Sequence, residues 1–132
     1  MNSTPRRTVI VLLIDDDPSL LQALGAVLKE AGHEVVAVDN AESGLTAFEN
    51  SLDSRPFDIV LTDLGMPGLD GRGVALRIKA MSPETPVVMI TGWGRRMEED
   101  GEKPPHVDLL LSKPPQRAVL LDTIETLTSG KP

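Results

Sequence analysis

Acidic, hydroxyl and basic side chains follow four short apolar runs in this chain of 132 residues. The three aspartates of 15–17 end the first run, and Thr62 and Asp63 end another. Thr91 closes a third run, and Lys113 lies just beyond the last one. Carboxylates brought close together repel one another, and a bound divalent cation relieves that repulsion. Oxygen ligands without His or Cys favour Mg²⁺ or Mn²⁺, and a metal, a cation and a hydroxyl around one carboxylate suit a phosphoryl group.

The apolar runs alternate with segments of helical period, which predicts a parallel sheet covered by helices on both faces. The predicted strands are 9–14, 34–38, 57–62, 87–91 and 107–111. The predicted helices run from Pro18 to Ala31, along the stripe of Ala41, Leu45, Phe48 and Leu52, from near Gly71 to Met81, and along Leu120, Leu121, Ile124 and Leu127. A fourth helix, between strands four and five, is expected to be short or irregular, because 95–106 holds one large apolar residue.

The order of the strands decides which of these side chains meet. We expect a flavodoxin-like doubly wound sheet of five parallel strands in the order 2-1-3-4-5, in which strands one and three are neighbours. Ligands of such sheets bind beyond the carboxyl ends of the strands, so Asp15, Asp16 and Asp63 are predicted to converge there. Asp17 is interpreted as the N-cap of the first helix, since Pro18 suits a first helical turn.

The composition limits the classes of function. The chain carries 13 Lys and Arg against 20 Asp and Glu, a net charge of −7, which disfavours direct binding to nucleic acid or to anionic membranes. The absence of cysteine excludes disulfides and thiol catalysis. Its apolar runs are too short for a signal peptide or for the roughly 20 residues of a membrane helix. We expect a cytoplasmic protein with one domain over 1–132 and an ordered core of about 7–128.

Four segments resemble the receiver domain of two-component response regulators. They are LLIDDDP at 12–18, DIVLTDLGMPGLDG at 58–71, VVMITG at 87–92 and LSKP at 111–114, and the resemblance extends from about residue 8 to residue 127. It implies that Asp63 accepts a phosphoryl group from the phosphohistidine of a sensor histidine kinase or a phosphotransfer protein. The expected product is an acyl phosphate, and the domain would catalyse only its own phosphorylation and dephosphorylation.

The resemblance also implies a role for each residue of the site. Mg²⁺, or Mn²⁺, would be bound by Asp16, Asp63 and the backbone carbonyl of Gly65, with Asp15 acting through a water molecule. Lys113 would pair with the phosphoryl oxygens. The bond between Lys113 and Pro114 resembles one that is cis in the family.

The switch that follows phosphorylation is expected to be altered. In the family, a threonine at the position of Thr91 hydrogen-bonds the phosphoryl group and an aromatic ring three residues before the lysine swings inward. Here that position is Leu110, and the chain contains no tyrosine. We therefore expect phosphorylation itself to remain, and we expect the structural change that a partner recognises after phosphorylation to differ. Trp93, two residues after Thr91, is expected to shield the site, to meet a partner or merely to cover the loop.

Two other functions remain open from the sequence. One is a receiver-like interaction module that is no longer phosphorylated. The other is a haloacid-dehalogenase-type phosphatase with Asp15 as the nucleophile, since 15–19 nearly matches Asp-x-Asp-x-Thr. That class usually has a longer chain, and it leaves the residues around Asp63 unexplained. His33 and His106 are expected at the surface rather than as ligands.

The resemblance leaves two kinds of parent protein open. The chain is expected to be a stand-alone receiver or the terminal receiver of a larger protein, such as a hybrid sensor kinase. Its output is expected to come from protein contacts, because no DNA-binding module follows the last helix.

Overall fold

Five parallel strands form the centre of the molecule in the computed structural model, which describes residues 8–92 and 103–129. The strands pair in the order β2-β1-β3-β4-β5, as the sequence predicts. In chain order the elements are β1 Ile10–Ile14, α1 Pro18–Glu30, β2 Glu34–Val38, α2 Ala41–Ser51, β3 Ile59–Asp63, α3 Gly71–Met81, β4 Val87–Thr91, β5 Leu109–Ser112 and α4 Arg117–Thr128. The flavodoxin-like doubly wound fold is therefore confirmed.

The core has two layers, one on each face of the sheet. Successive residues of β1 point to opposite faces, so Leu12 packs in one layer and Leu13 in the other. The first layer includes Phe48 of α2 and Val74 of α3, and the second is built on α1 and α4, with Leu28 as a member. Because both faces are covered, the central strands are apolar without alternation.

Two strands begin later and end later than the apolar runs predict. The observed β3 is Ile59–Asp63 and the observed β5 is Leu109–Ser112, against predictions of 57–62 and 107–111. Asp58 and Asp108 lie just before these strands, and their carboxylates accept the amides of Ile10 and Val87 on neighbouring strands, each at 2.8 Å. Phe57 and Val107 are buried all the same, since the apolar runs extend into the core before regular pairing begins.

The observed β2, β4 and α3 have the predicted bounds, and three other element ends differ by one residue. β1 begins at Ile10, and α1 ends at Glu30 with Ala31 as its C-cap. α2 ends at Ser51, so Leu52 is the cap and is 36% exposed rather than part of the buried stripe. The expected short or irregular fourth helix concerns 95–106, and its residues 95–102 lie outside the described residues, as does Trp93.

The two histidines have different environments. His106 is exposed, as predicted. The prediction of a surface position was wrong for His33, which is only 8% exposed. The turn at Gly32, with φ of 95°, leads from α1 into β2 and places His33 beside the start of β1. There its Nδ1 accepts the amide of Val9 at 3.2 Å, so the imidazole supplies a buried hydrogen-bond acceptor.

Candidate functional site

Three carboxylates meet at the carboxyl ends of β1 and β3, which are neighbours in the sheet. Asp15 and Asp16 follow β1, Asp63 is the last residue of β3, and one oxygen from each lies within 4.8 Å of the others. Asp15 and Asp63 are 2% and 5% exposed, whereas Asp16 is exposed. The structure thus brings together the three acids that the sequence singles out, and this all-oxygen group suits a hard divalent cation.

Local hydrogen bonds give the three consecutive aspartates different tasks. The Asp15 amide donates to the carbonyl of Val38 at 3.2 Å, which continues the pairing of β1 with β2. One Asp15 carboxylate oxygen accepts the Asp17 amide at 2.8 Å. Asp17 turns its own carboxylate to the first turn of α1, where it accepts the amides of Ser19 and Leu20. Its predicted role as the N-cap is confirmed, and Asp16 is left at the mouth of the site.

Lys113 joins this cluster from the end of β5. Its Nζ lies 2.9 Å from an oxygen of Asp63 and 3.2 Å from an oxygen of Asp15. The Lys113 amide donates to the carbonyl of Thr91 at 3.1 Å, which ties the ends of β4 and β5 together. The Lys113–Pro114 bond is cis. Thr91 is buried at the same edge of the sheet, so the lysine and the threonine lie where the sequence predicts them.

Two other predicted residues lie apart from the charged cluster. Gly65 is exposed on the loop after β3, and a Cβ added there would meet nothing within 4 Å. Leu110 is 4% exposed and packs in the core layer that contains Met89 and Val107. The residue that replaces the expected aromatic ring is therefore part of the hydrophobic core.

Burial and charge shift the proton affinities of two groups in the cluster. Burial raises the pKa of Asp15 above its usual value, and the nearby Asp63 charge raises it further, against the opposing effects of the Asp17 amide and Lys113. Burial lowers the pKa of Lys113, but hydrogen bonds to Asp63 and Asp15 outweigh it, so the pKa lies above its usual value. Lys113 is thus held as a cation, and one ammonium faces three carboxylates among the described residues.

Two residues that the sequence reasoning did not assign to the chemistry contact the main chain of Asp63. The buried Thr62 hydroxyl donates to the Asp63 carbonyl at 3.0 Å. Gly71, the first residue of α3, donates its amide to the Leu64 carbonyl at 2.9 Å, and a Cβ on Gly71 would collide with the Asp63 carbonyl oxygen. The available signal was a hydroxyl at the end of an otherwise apolar strand.

Residues 11–125 match the family model for the response regulator receiver domain. The chain belongs to this family. This receiver domain is 32% identical over 117 residues to the response regulator receiver protein CpdR of Brucella abortus, covering 89% of this chain and 94% of that protein. It is 40% identical over 84 residues, 64% of this chain, to the response regulator protein FleR of Pseudomonas aeruginosa. The chain matches only 17% of the length of FleR and 25% of GlrR of Escherichia coli, so it corresponds to a part of those proteins.

Solved receiver domains share the fold. A receiver domain from Clostridium thermocellum superposes with a TM-score of 0.81 at 26% identity, covering 93% of this chain and 96% of that one. The response regulator TrrA of Thermotoga maritima, solved in complex with Mg²⁺ and BeF, has a TM-score of 0.78 at 25% identity over 91% of this chain and 99% of that one.

Membership of the family argues against one of the functions left open by the sequence, the haloacid-dehalogenase-type phosphatase. Receiver domains act in two-component signalling, where they accept phosphoryl groups from histidine kinases, and they are generally not classical enzymes. They bind Mg²⁺ at an acidic cluster, and Asp15, Asp16 and Asp63 form such a cluster here. The phosphatase alternative is not supported, since Asp17 caps α1 and the whole sheet belongs to the receiver family. No helix in the described ranges is long and apolar enough to cross a membrane.

Proposed function

We propose that Asp63 is the phosphoacceptor of this receiver domain and that its donor is the phosphohistidine of a sensor histidine kinase or a phosphotransfer protein. A carboxylate oxygen of Asp63 attacks phosphorus, the new O–P bond replaces the N–P bond, and the imidazole nitrogen keeps that electron pair. The observation that carries this proposal is the 2.9 Å contact between Asp63 and Lys113 inside the acidic cluster. Asp63 is buried, it makes the shorter of the two contacts with the Lys113 ammonium, and both other carboxylates lie beside it.

The surrounding residues supply charge and hydrogen bonds. Lys113 pairs with phosphoryl oxygens after leaving the Asp63 oxygen, and the buried Thr91 supplies its hydroxyl to another of them. A preorganised cation stabilises charge that develops in transfer more strongly at a largely buried site than in water. Asp15, which lies 3.2 Å from the same ammonium, keeps Lys113 over the site.

The residues around Asp63 also fit a divalent cation. We assign Asp16, Asp63 and the backbone carbonyl of Gly65 as its ligands, with Asp15 acting through a water molecule. The exposed Asp16 and the loop that carries Gly65 leave this side of the cluster open to solvent. When bound, Mg²⁺ (or Mn²⁺) offsets the negative charge of the carboxylates and of the incoming phosphoryl oxygens.

The output of this domain is a changed surface for a protein partner. Thr91 carries the change without the swing of an aromatic ring, because position 110 is a leucine that packs in the core. We further propose that the chain is one receiver domain over 1–132, acting in the cytoplasm. Its net charge of −7 argues against direct binding to nucleic acid or to a membrane surface.

The test is intact mass after incubation with acetyl phosphate and Mg²⁺. The wild type and Asp58→Asn should each gain one base-labile phosphoryl group, whereas Asp63→Asn should gain none. Asp58 is the matched control because it lies at the opposite end of β3 and its carboxylate accepts the Ile10 amide. An adduct retained in Asp63→Asn would overturn the assignment of the acceptor, and no adduct in the wild type would favour an interaction module.

A further inference from the structure

The hydroxyl of Thr62 has an unusual position in β3. The three preceding residues of the strand, 59–61, are fully buried and apolar. Thr62 is buried as well, at 1% exposed, but it carries a polar group. Its Oγ1 donates to the carbonyl of Asp63, the next residue, at 3.0 Å. Burying a hydroxyl costs free energy unless it has a hydrogen-bond partner. The Thr62 hydroxyl is therefore expected to keep its bond to the Asp63 carbonyl.

Gly71 approaches the same carbonyl from the start of α3. A Cβ built on Gly71 would overlap the Asp63 carbonyl oxygen and would lie 3.0 Å from the Leu64 Cα. Both of these neighbours are main-chain atoms, which cannot rotate away as the end of a side chain can. The Gly71 amide also donates to the Leu64 carbonyl at 2.9 Å, so α3 is attached directly to the residue that follows the acceptor.

The remaining glycines near the site differ in this respect. The three nearest atoms to a Cβ on Gly73, two residues along α3, all belong to the side chain of Leu69, and a Cβ on Gly65 would meet nothing within 4 Å. The requirement for a bare Cα against main chain is therefore specific to Gly71 among these three. It coincides with the carbonyl that Thr62 binds.

We propose that Thr62 and Gly71 are positioning residues for phosphoryl transfer, which hold the main chain of Asp63 so that its carboxylate stays aligned with Lys113. This inference rests on the proposed role of Asp63 as the acceptor. The Thr62 hydroxyl fixes the Asp63 carbonyl, and the close approach of Gly71 prevents the peptide after it from moving towards α3. Neither residue touches the phosphoryl group, so both act through Asp63.

The test compares two valines. Thr62→Val removes the hydroxyl and keeps the shape of the side chain. Thr128→Val is the matched control, because Thr128 is also buried and donates its hydroxyl to a carbonyl, that of Ile124, within α4. Misplacement of a reacting group by about 1 Å costs roughly a hundredfold in rate, so we expect Thr62→Val to slow transfer from acetyl phosphate on the order of tenfold at saturating donor and Mg²⁺.

Thr62→Ser should restore the rate, because it restores the donor. Gly71→Ala should slow transfer by on the order of a hundredfold, while Gly73→Ala should keep the wild-type rate. Rates are followed by intact mass, and melting temperatures are measured alongside to compare variants of equal stability. The proposal is overturned if Thr62→Val and Thr128→Val lose stability equally and transfer at equal rates. If the wild type forms no adduct at all, the acceptor assignment fails, and this inference fails with it.

Discussion

Each end of the sheet contains a lysine in contact with an aspartate, yet the two ends use these charges differently. At the amino end, Lys79 of α3 lies 2.7 Å from Asp108 and 2.8 Å from the Thr85 carbonyl. The same Asp108 oxygen accepts the Val87 amide at 2.8 Å, and the Asp108 amide returns a bond to the Val87 carbonyl. Asp58 makes the same reciprocal pair with Ile10. Each of these acids lies just before a strand and starts its pairing with a neighbouring strand: Asp58 joins β3 to β1, and Asp108 joins β5 to β4.

At the carboxyl end, the carboxylates face one another. Lys113 divides its contact between Asp15 and Asp63, and Asp16 lies within 4.8 Å of both acids. Asp15 accepts a backbone amide, but Asp63 has its carboxylate directed at the ammonium. The amino end balances its charge with main-chain partners, whereas the carboxyl end keeps a surplus of negative charge. The difference indicates that the first arrangement builds the sheet and the second is available to a ligand.

Replacing each lysine by methionine should separate these roles most clearly. Lys113→Met removes the cation that faces the acceptor, and we expect transfer from acetyl phosphate to slow by on the order of tenfold to a hundredfold. Lys79→Met should leave that rate unchanged and lower the free energy of unfolding by about 1–2 kcal/mol, since it removes charge-assisted hydrogen bonds at the amino end. Intact-mass time courses and urea denaturation measure the two effects. Equal slowing in both variants would contradict the division between the two ends.

Mg²⁺ should stabilise the wild type through the carboxyl end alone. A ligand at about a hundred times its dissociation constant adds roughly 2.7 kcal/mol, which corresponds to a melting temperature higher by roughly 10 °C for a domain of this size. Asp16→Asn should lose most of this increase, because a metal ligand is gone. Asp108→Asn should melt lower without Mg²⁺ and still gain the full increase. An undiminished gain in Asp16→Asn, measured by circular dichroism, would remove that residue from the proposed ligands.

The two ends of the sheet also differ in how well the sequence predicts them. The acids and the lysine of the site follow apolar runs, and in a parallel sheet the carboxyl ends of the strands share one edge. Their meeting was therefore predictable from strand order. Asp58 and Asp108 carry the same side chain, but their roles depend on which amide of a neighbouring strand lies opposite, and no local pattern encodes that register. The predicted starts of β3 and β5 were wrong for this reason.

Contacts between the main chain and residues distant in sequence could not be predicted from the sequence either. The burial of His33 depends on its contact with Val9, 24 residues away in sequence. The requirement for glycine at position 71 depends on the approach of α3 to Asp63, while the sequence predicts only that a helix begins near this residue. Periodicity and spacing thus predict which elements form and which side chains share an edge, whereas close approach between main-chain atoms requires the packed structure.

The smallest expected effect concerns the stability of the protein in the absence of metal. Asp15→Asn removes one of the charges that repel one another, and its amide oxygen still accepts the Asp17 amide. We expect the free energy of unfolding at neutral pH in EDTA to rise by about 1 kcal/mol, a typical size for one substitution. Asp108→Asn should lower it by a similar amount, because its carboxylate is paired with Lys79 and with an amide.

The pH dependence identifies the cause of this gain. The folded pKa of Asp15 is raised above its unfolded value, mainly by burial, so the folded state binds that proton more tightly. The stability that this proton contributes is present below the unfolded pKa and is lost as the pH rises through the folded pKa. The advantage of Asp15→Asn over the wild type should therefore be largest at neutral pH and shrink towards acid, where Asp15 is already neutral. Urea denaturation across this range measures it, and an advantage that stayed constant with pH would exclude the charge of Asp15 as its origin.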